Sequence, residues 1–501
     1  MLGGDLLRTC SMMDVIRGGH CTVLGYGVSN RPLVEWLVVH GAKSVTVRDK
    51  RSFEAMEKDG DIVRLKAVGA SWICGDGYLE GLSGDVIFRS PGFRPDLPEI
   101  RAAVEAGAIL TSEMELFLAL TEATVLGISG SDGKTTTTTL TARILEAACK
   151  RQGKGRVYLG GNIGTPLLPF VEDMTPDDFA VVELSSFQLQ TMGRGAMVAR
   201  GALTNVSPNH LNWHTDMDEY VAAKANLLGG EEPLRAAVLN ARNEYTRSIG
   251  TFLTCPVIWF TGERDLPFGY LPDLLDLERG DTAVYEREGM ILLVTPRQDG
   301  IRMTPVLDTA RIRLPGRHNL ENFMTAIALT CAYAEPCDVT AVADSFTGVA
   351  HRLELIREKG GIRYYNGSID SSPSRTVAAL NAMRETNAHL GRRDPIVICG
   401  GQDKHVPFDP LATALCRMAY KVVLTGEARG QILDALKACP DYNPESLPVT
   451  VIPDYREAMK AACDMAEDGD TVLLSPACTS FDAFKNFEER GEVFRKIVIE
   501  L

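Results

Sequence analysis

The chain has no apolar run approaching the ~18 residues that a membrane-spanning helix needs, so no span is expected. It also lacks an excess of positive charge. Its 52 Lys and Arg against 66 Asp and Glu leave a formal net charge of −14. That balance argues against nucleic acid or an anionic membrane as partner and requires any anionic substrate to be held by local donors. The 12 cysteines are scattered with no C-x-x-C pair, and they read as reduced core residues of a cytoplasmic protein. Met1 to Gly19 carries Asp5, Arg8, Asp14 and Arg17 and no continuous apolar stretch, so a signal peptide is not expected. No internal repeat or low-complexity segment is present. At 501 residues and 45% hydrophobic content, the chain can build about three domains at roughly 150 residues each.

The strongest local signal is the stretch 124–137. A β-branched run from Thr124 to Ile128 turns at small residues and continues into a helix on which Leu140, Ile144 and Leu145 recur. Its glycines let successive N–H groups face one concavity, the helix start adds positive potential, and Lys134 adds a full charge beside Thr135. Such a loop grips a nucleoside triphosphate and its Mg²⁺. The strict pattern G-x-x-x-x-G-K-[ST] needs Gly at 128, where the chain has Ile128, so the match is to a relative of that loop.

Around this stretch the chain alternates strands and helices, as doubly wound α/β sheets require. Residues 20–50 read as half of a Rossmann unit. A strand runs into Gly25 and Gly27, and a second strand closes on Asp49, near the place of a ribose-binding carboxylate. The third glycine is missing because position 30 is Asn, which favours a nucleotide-sugar site over a nicotinamide one. A strand at 85–89 ends in Ser90-Pro91-Gly92. Glu183 closes a buried strand in the same domain as the phosphate loop, which makes it a candidate Mg²⁺ ligand, although a strand-end Glu can equally be a solvated cap. A further strand, placed at 202–206, leads to His210 on the same side. Lys224 lies in a helix expected over 216–228 and by itself reads as a surface lysine. Domains are expected at 1–112, 113–348 and 349–501: Rossmann-like, central phosphate-loop α/β and C-terminal Rossmann-like.

Gly130-Ser131-Asp132-Gly133-Lys134-Thr135-Thr136 is similar to the G-[ST]-[ND]-G-K-[ST]-[ST] loop of the Mur ligase superfamily, the ATP-dependent amide-forming enzymes of cell-wall peptide assembly. Glu183-Leu184-Ser185-Ser186-Phe187-Gln188-Leu189 and the stretch 475–491 extend the likeness, the latter toward the D-glutamate-adding branch. The resemblance implies ADP-forming addition of D-glutamate to UDP-N-acetylmuramoyl-L-alanine through an acyl phosphate, by a cytoplasmic monomer. It implies that Val28, Ser29, Asp49, Lys50 and Ser90 contact the UDP part, with Asn162, Ser185, Gln188 and His210 further along the substrate. It implies that Gly130 to Thr136, Asn319, Asn322 and Arg352 hold ATP. Two Mg²⁺ sites are implied at Thr135, Glu183, His210 and Lys224, the last carbamylated, with Lys134, Glu183, His210 and Lys224 as the catalytic set. Ser371, Lys404, Ser480, Phe481 and Phe487 are implied at D-glutamate.

One segment departs from the family. Where its members usually read N-D-S-K-[AG]-T, this chain has Asn366-Gly367-Ser368-Ile369-Asp370-Ser371, so the aspartate that faces the ATP ribose is absent and Asp370 is the nearest acid. Two other readings fit parts of the pattern: another ligase of the superfamily, including one that extends folate with glutamate, and a nucleotide-binding relative with impaired catalysis.

Overall fold

The computed structural model describes residues 12–57, 62, 65, 66, 69–192, 198–211, 213–229, 234–262, 275–297, 300–314, 316–403 and 406–501. It is an α/β protein with three sheets among the described residues. The chain divides into two compact units, Met1–Thr309 with Glu321–Val342, and Ala310–Leu320 with Ala343–Leu501.

The first unit holds two sheets. Strands β1 (His20–Leu24), β2 (Ser44–Asp49), β3 (Ala70–Cys74), β4 (Val86–Arg89) and β5 (Ile109–Thr111) pair in parallel in the order β3-β2-β1-β4-β5. The apolar runs of β1, β4 and β5 are buried on both faces, as a parallel sheet covered by helices demands, while the edge strand β3 leaves Ile73 exposed. Cys21, Val23, Val86 and Phe88 share one core with Leu33, Val34 and Leu37 of the helix Asn30–Val39. Leu24, Ile87 and Leu110 pack on Ile100 and Ala103 of the helix Pro98–Glu105. Asn30 explains the missing glycine. Its buried side-chain amide donates to the carbonyls of Leu24 and Gly25 at 3.2 and 2.9 Å, so it braces the turn from within.

The second sheet comprises β6 (Thr124–Ser129), β7 (Val157–Gly161), β8 (Phe179–Glu183), β9 (Arg200–Leu203), β10 (Ala236–Asn240), β11 (Val257–Thr261), β12 (Thr282–Arg287), β13 (Met290–Arg297) and β14 (Gly300–Asp308). Its order is β14-β13-β12-β11-β10-β9-β6-β8-β7. The pairs from β7 to β12 are parallel, and β13 and β14 add an antiparallel extension. The strand order reverses at β6, which opens the ligand crevice of such a sheet at the carboxyl ends of β6, β8 and β9. The helix Lys134–Gln152 buries Leu140, Ile144 and Leu145, as their spacing predicts.

The strand placed at 202–206 is instead Arg200–Leu203. Beyond Leu203 the chain turns to the phosphate loop: Thr204 N–H still donates to Ser129 at the end of β6, but its hydroxyl donates to the Asp132 carbonyl at 2.6 Å and the Asn205 carbonyl accepts from Ser131 N–H.

In the second unit, β15 (Glu354–Lys359), β16 (Ile362–Asn366), β17 (Ile396–Gly400), β18 (Lys421–Thr425), β19 (Val449–Val451) and β20 (Thr471–Leu474) run in the order β15-β16-β20-β17-β18-β19. All pairs are parallel except the β15–β16 hairpin. Among the described residues, no helix is long and apolar enough to cross a membrane.

Candidate active site

The phosphate loop leaves β6 at Gly130 and enters its helix at Lys134; Ile128 is still a buried strand residue, which is why no glycine is needed there. Gly130 and Gly133 adopt φ of +145° and +80°, backbone that an L side chain rarely takes. A Cβ on Gly133 would collide with Asn322 Oδ1, which itself accepts the Thr137 hydroxyl at 3.2 Å. Ser131 Oγ bonds the Ser207 carbonyl and lies 3.0 Å from Tyr220 Oη, while Asp132 N–H donates to Asn205 Oδ1 at 3.0 Å. Lys134 curls over the loop and donates to the carbonyls of Gly130 and Ser131, both at 3.0 Å. Thr136 is buried behind it.

Glu183 sits at the end of β8, next to the loop, and is 2% exposed, so it is no solvated cap. Its Oε2 accepts from Thr135 Oγ1 at 2.8 Å and its Oε1 from Asn162 Nδ2 at 3.1 Å. Among the described residues, no group of three or more His, Cys, Asp and Glu could hold a metal on its own. A carboxylate beside a hydroxyl is nevertheless the donor set of a hard cation that keeps several waters and shares a triphosphate with the protein. The residues present therefore fit Mg²⁺ bound together with its nucleotide.

Lys224 is not a surface lysine. It is 1% exposed in the helix Met217–Ala225, and its ammonium donates to the Gly130 carbonyl at 2.7 Å, the same oxygen that Lys134 uses. Burial, then the charge of Lys134, holds its pKa well below the usual lysine range, while Asp132 and Glu183 pull the other way. His210, exposed at the turn after β9, has φ +55° and packs its ring edge-to-face on Phe187 with centroids 4.9 Å apart. Burial and the charges of Lys134 and Lys224 lower its pKa, which favours the neutral imidazole that a metal or an acceptor role requires. Ser185 caps the helix Ser186–Leu189 in a capping box with Gln188, so both side chains are spent on fixing the turn after Glu183.

In the first sheet, Asp49 is committed. Its oxygens accept from Tyr26 N–H at 2.7 Å and from the backbone and guanidinium of Arg51 at 2.9–3.1 Å. Arg51 also donates to the Tyr26 carbonyl, so this unforeseen residue clamps the glycine turn. Val28 and Lys50 are exposed and Ser29 half-buried at the strand ends beside it, and Ser90 lies half-buried after β4.

Asn319 and Asn322 lie one turn apart on the helix Arg317–Thr330, both buried. In the second unit, Arg352 is half-buried between His351 at φ +64° and Leu353 at φ +44°. Ser480 is buried, Phe481 is 64% exposed, and Phe487 packs near His351 with centroids 6.1 Å apart. Ser371 is half-buried and donates its N–H to the Ile369 carbonyl. Lys404 lies outside the described residues. Arg490, which the sequence did not single out, is buried and ties two loops together, donating to the carbonyls of Ser368, Cys478 and Thr479. Gly367 has no room for a side chain, because its Cβ would lie 2.6 Å from Asp370 Oδ2 and 2.8 Å from the Leu474 carbonyl. Asp370 is itself buried, accepts from Ser475 Oγ at 2.8 Å, and is pushed by burial up to about 7.

Residues 128–330 match the Mur ligase middle domain and residues 351–478 the Mur ligase glutamate ligase domain. The chain is 40% identical over 489 residues to the UDP-N-acetylmuramoylalanine--D-glutamate ligase of Ruminiclostridium cellulolyticum, covering 97% of each chain. It is 40% identical to the like-named protein of Clostridium novyi over 97% of this chain and 98% of that one, and 39% identical to that of Acetivibrio thermocellus over 96% and 97%. Two solved structures share the fold. One is the UDP-N-acetylmuramate-alanine ligase of Thermotoga maritima, with TM-score 0.52 and 17% identity over 96% of this chain and 99% of that one. The other is a UDP-N-acetylmuramoyl-L-alanyl-D-glutamate--2,6-diaminopimelate ligase, with TM-score 0.54 and 16% identity over 97% and 93%. With its phosphate loop, strand-end Glu183 and full-length likeness to those relatives, the chain belongs to the Mur ligase family, in the branch of the UDP-N-acetylmuramoylalanine--D-glutamate ligases.

Proposed function

We propose that the protein joins D-glutamate to UDP-N-acetylmuramoyl-L-alanine, with ATP converted to ADP and phosphate, as a monomer in the cytoplasm. The observation that carries this reading is the Thr135–Glu183–Asn162 arrangement beside a lysine-bearing phosphate loop, in a chain 40% identical over almost its whole length to ligases of that name. In the proposed division, residues 1–112 hold the UDP part, 113–348 hold ATP and 349–501 hold the amino acid, with Ser371, Lys404, Ser480, Phe481 and Phe487 around D-glutamate.

A carboxylate is a poor acyl donor. An oxygen of the alanyl carboxylate therefore attacks the γ-phosphorus of ATP, the bond to ADP breaks, and an acyl phosphate forms. The amine of D-glutamate then attacks the acyl carbon, phosphate leaves and the nitrogen loses its proton. Little covalent chemistry falls to the protein, which acts by positioning and by neutralising charge. Lys134 would exchange its loop carbonyls for the phosphates, and the loop N–H groups and helix start would hold the rest. Thr135, Glu183, His210 and Lys224 would hold Mg²⁺, which when bound spreads the charge of the transferring phosphoryl group. Burial and the charge of Lys134 shift Lys224 toward the neutral amine, the form that reacts with CO₂, and the resulting carbamate would turn a lysine facing Lys134 into its counter-ion.

The test is phosphate release from ATP with each substrate omitted in turn. Release that needs both the muramoyl-alanine nucleotide and D-glutamate supports the reading; release that is indifferent to the amino acid would overturn it.

A further inference from the structure

Two arginines outside every assignment above fasten the segment 89–96 of the first sheet to the loops that carry Glu183 and His210. Arg89, the last residue of β4, is buried. Its Nη2 donates to the Phe187 carbonyl at 2.5 Å and to Thr191 Oγ1 at 2.7 Å, and its Nη1 donates to the Phe93 carbonyl at 2.8 Å. Phe187 stands in the capped turn just after Glu183, and Phe93 closes the turn at Ser90 by donating its N–H to the Ser90 carbonyl at 3.0 Å.

Arg94 reaches the other loop. Its Nη1 donates to the Trp213 carbonyl at 2.8 Å, while Asp96 holds its remaining edge at 2.9 and 3.0 Å. Trp213 N–H in turn bonds the His210 carbonyl at 2.9 Å, and its indole N–H bonds Gln190 Oε1 at 3.1 Å.

A buried guanidinium is costly to desolvate and is retained where its planar fork has fixed acceptors. Here the fork holds one carbonyl from the turn after β4 and one from the turn after β8, with the Glu115 carboxyl nearby.

We propose that Arg89 and Arg94 are positioning residues for the ligation, resting on the function proposed above. The substrate is one molecule with its nucleotide on the first sheet and its reacting carboxylate at Glu183 and His210. The separation of the loop at Ser90 from the loops at Glu183 and His210 therefore sets whether the carboxylate meets the phosphoryl group.

Steady-state kinetics of Arg94→Ala, Arg94→Lys and Arg89→Lys, with thermal unfolding of each, test this. Arg94 is only half-buried, so Arg94→Ala is expected to fold. For Arg94→Ala and Arg89→Lys, KM for the muramoyl-alanine nucleotide should rise about tenfold or more and kcat should fall, with KM for ATP unchanged within about twofold, since small misplacements are costly. Arg94→Lys, which keeps one donor for the Trp213 carbonyl, should recover part of the loss. An unchanged nucleotide-sugar KM, or equal rises in all three KM values, would overturn the inference. Absence of turnover in the wild type under the same conditions would instead overturn the proposed activity.

Discussion

Thr135 donates its hydroxyl to Glu183 Oε2 at 2.8 Å, joining the first turn of the phosphate-loop helix to the end of the neighbouring strand. That link places a carboxylate beside a lysine that bonds loop carbonyls and takes no part in the apolar core. Lys134→Ala should therefore cut ligation by about a hundredfold or more while leaving the unfolding midpoint near that of the wild type, because the charge acts on the transition state. Turnover near the wild-type rate would remove the phosphate loop from the mechanism.

For Lys224, the expectation is near-complete loss of activity in Lys224→Ala, with partial rescue by a small carboxylic acid, because the position would supply a negative group to Mg²⁺. Lys224→Arg cannot form a carbamate and should stay inactive. An arginine variant as active as the wild type would end the carbamate proposal.

Asp370 Oδ2 occupies space beside Gly367 that a residue-367 side chain would need. We therefore expect Asp370 to supply the acceptor for the ATP ribose. Asp370→Ala should weaken ATP binding by roughly two- to tenfold, the worth of one ordinary hydrogen bond, because burial leaves this carboxyl only partly ionised near pH 7, with KM for D-glutamate unchanged. Unaltered ATP affinity in a calorimetric titration would assign the carboxyl to the Ser475 contact alone.

Glu115 is buried near Arg89, and burial lifts its pKa from 4.5 to about 7, with Ser112 and Arg89 acting the other way. The folded state thus keeps a proton that the unfolded chain releases in this window. Glu115 accordingly makes stability fall as pH rises from about 4.5 to about 7, with no further fall above. Glu115→Gln, which cannot ionise, should show a shallower fall of the denaturant midpoint between those values. Glu113, also lifted to about 7 by burial, adds to the remaining slope. Parallel profiles for variant and wild type would contradict this.

The phosphate loop and Glu183 were legible because a β-branched run, glycines and a lysine lie within one local stretch, and because a carboxylate at the end of a buried strand faces the crevice. Lys224 was not legible from its surroundings. Its helix reads Met-Asp-Glu-Tyr-Val-Ala-Ala-Lys-Ala, with too weak an apolar stripe to say which face is inside. Asp49 stood where a ribose ligand was expected, but its acceptor capacity is taken by Tyr26 and by Arg51. Arg89 looks like a strand-end charge bound for solvent. Its acceptors Phe187 and Thr191 lie 98 and 102 residues away, a pairing that no local pattern encodes.

The most direct test of the account is the mass spectrum of product and phosphate from a reaction of UDP-N-acetylmuramoyl-L-alanine, labelled with ¹⁸O in the alanyl carboxylate, with ATP and D-glutamate. A D-glutamyl amide of the nucleotide and one labelled oxygen in the released phosphate are the expected products. No D-glutamate-dependent product, or a product with unlabelled phosphate, would contradict the proposed reaction.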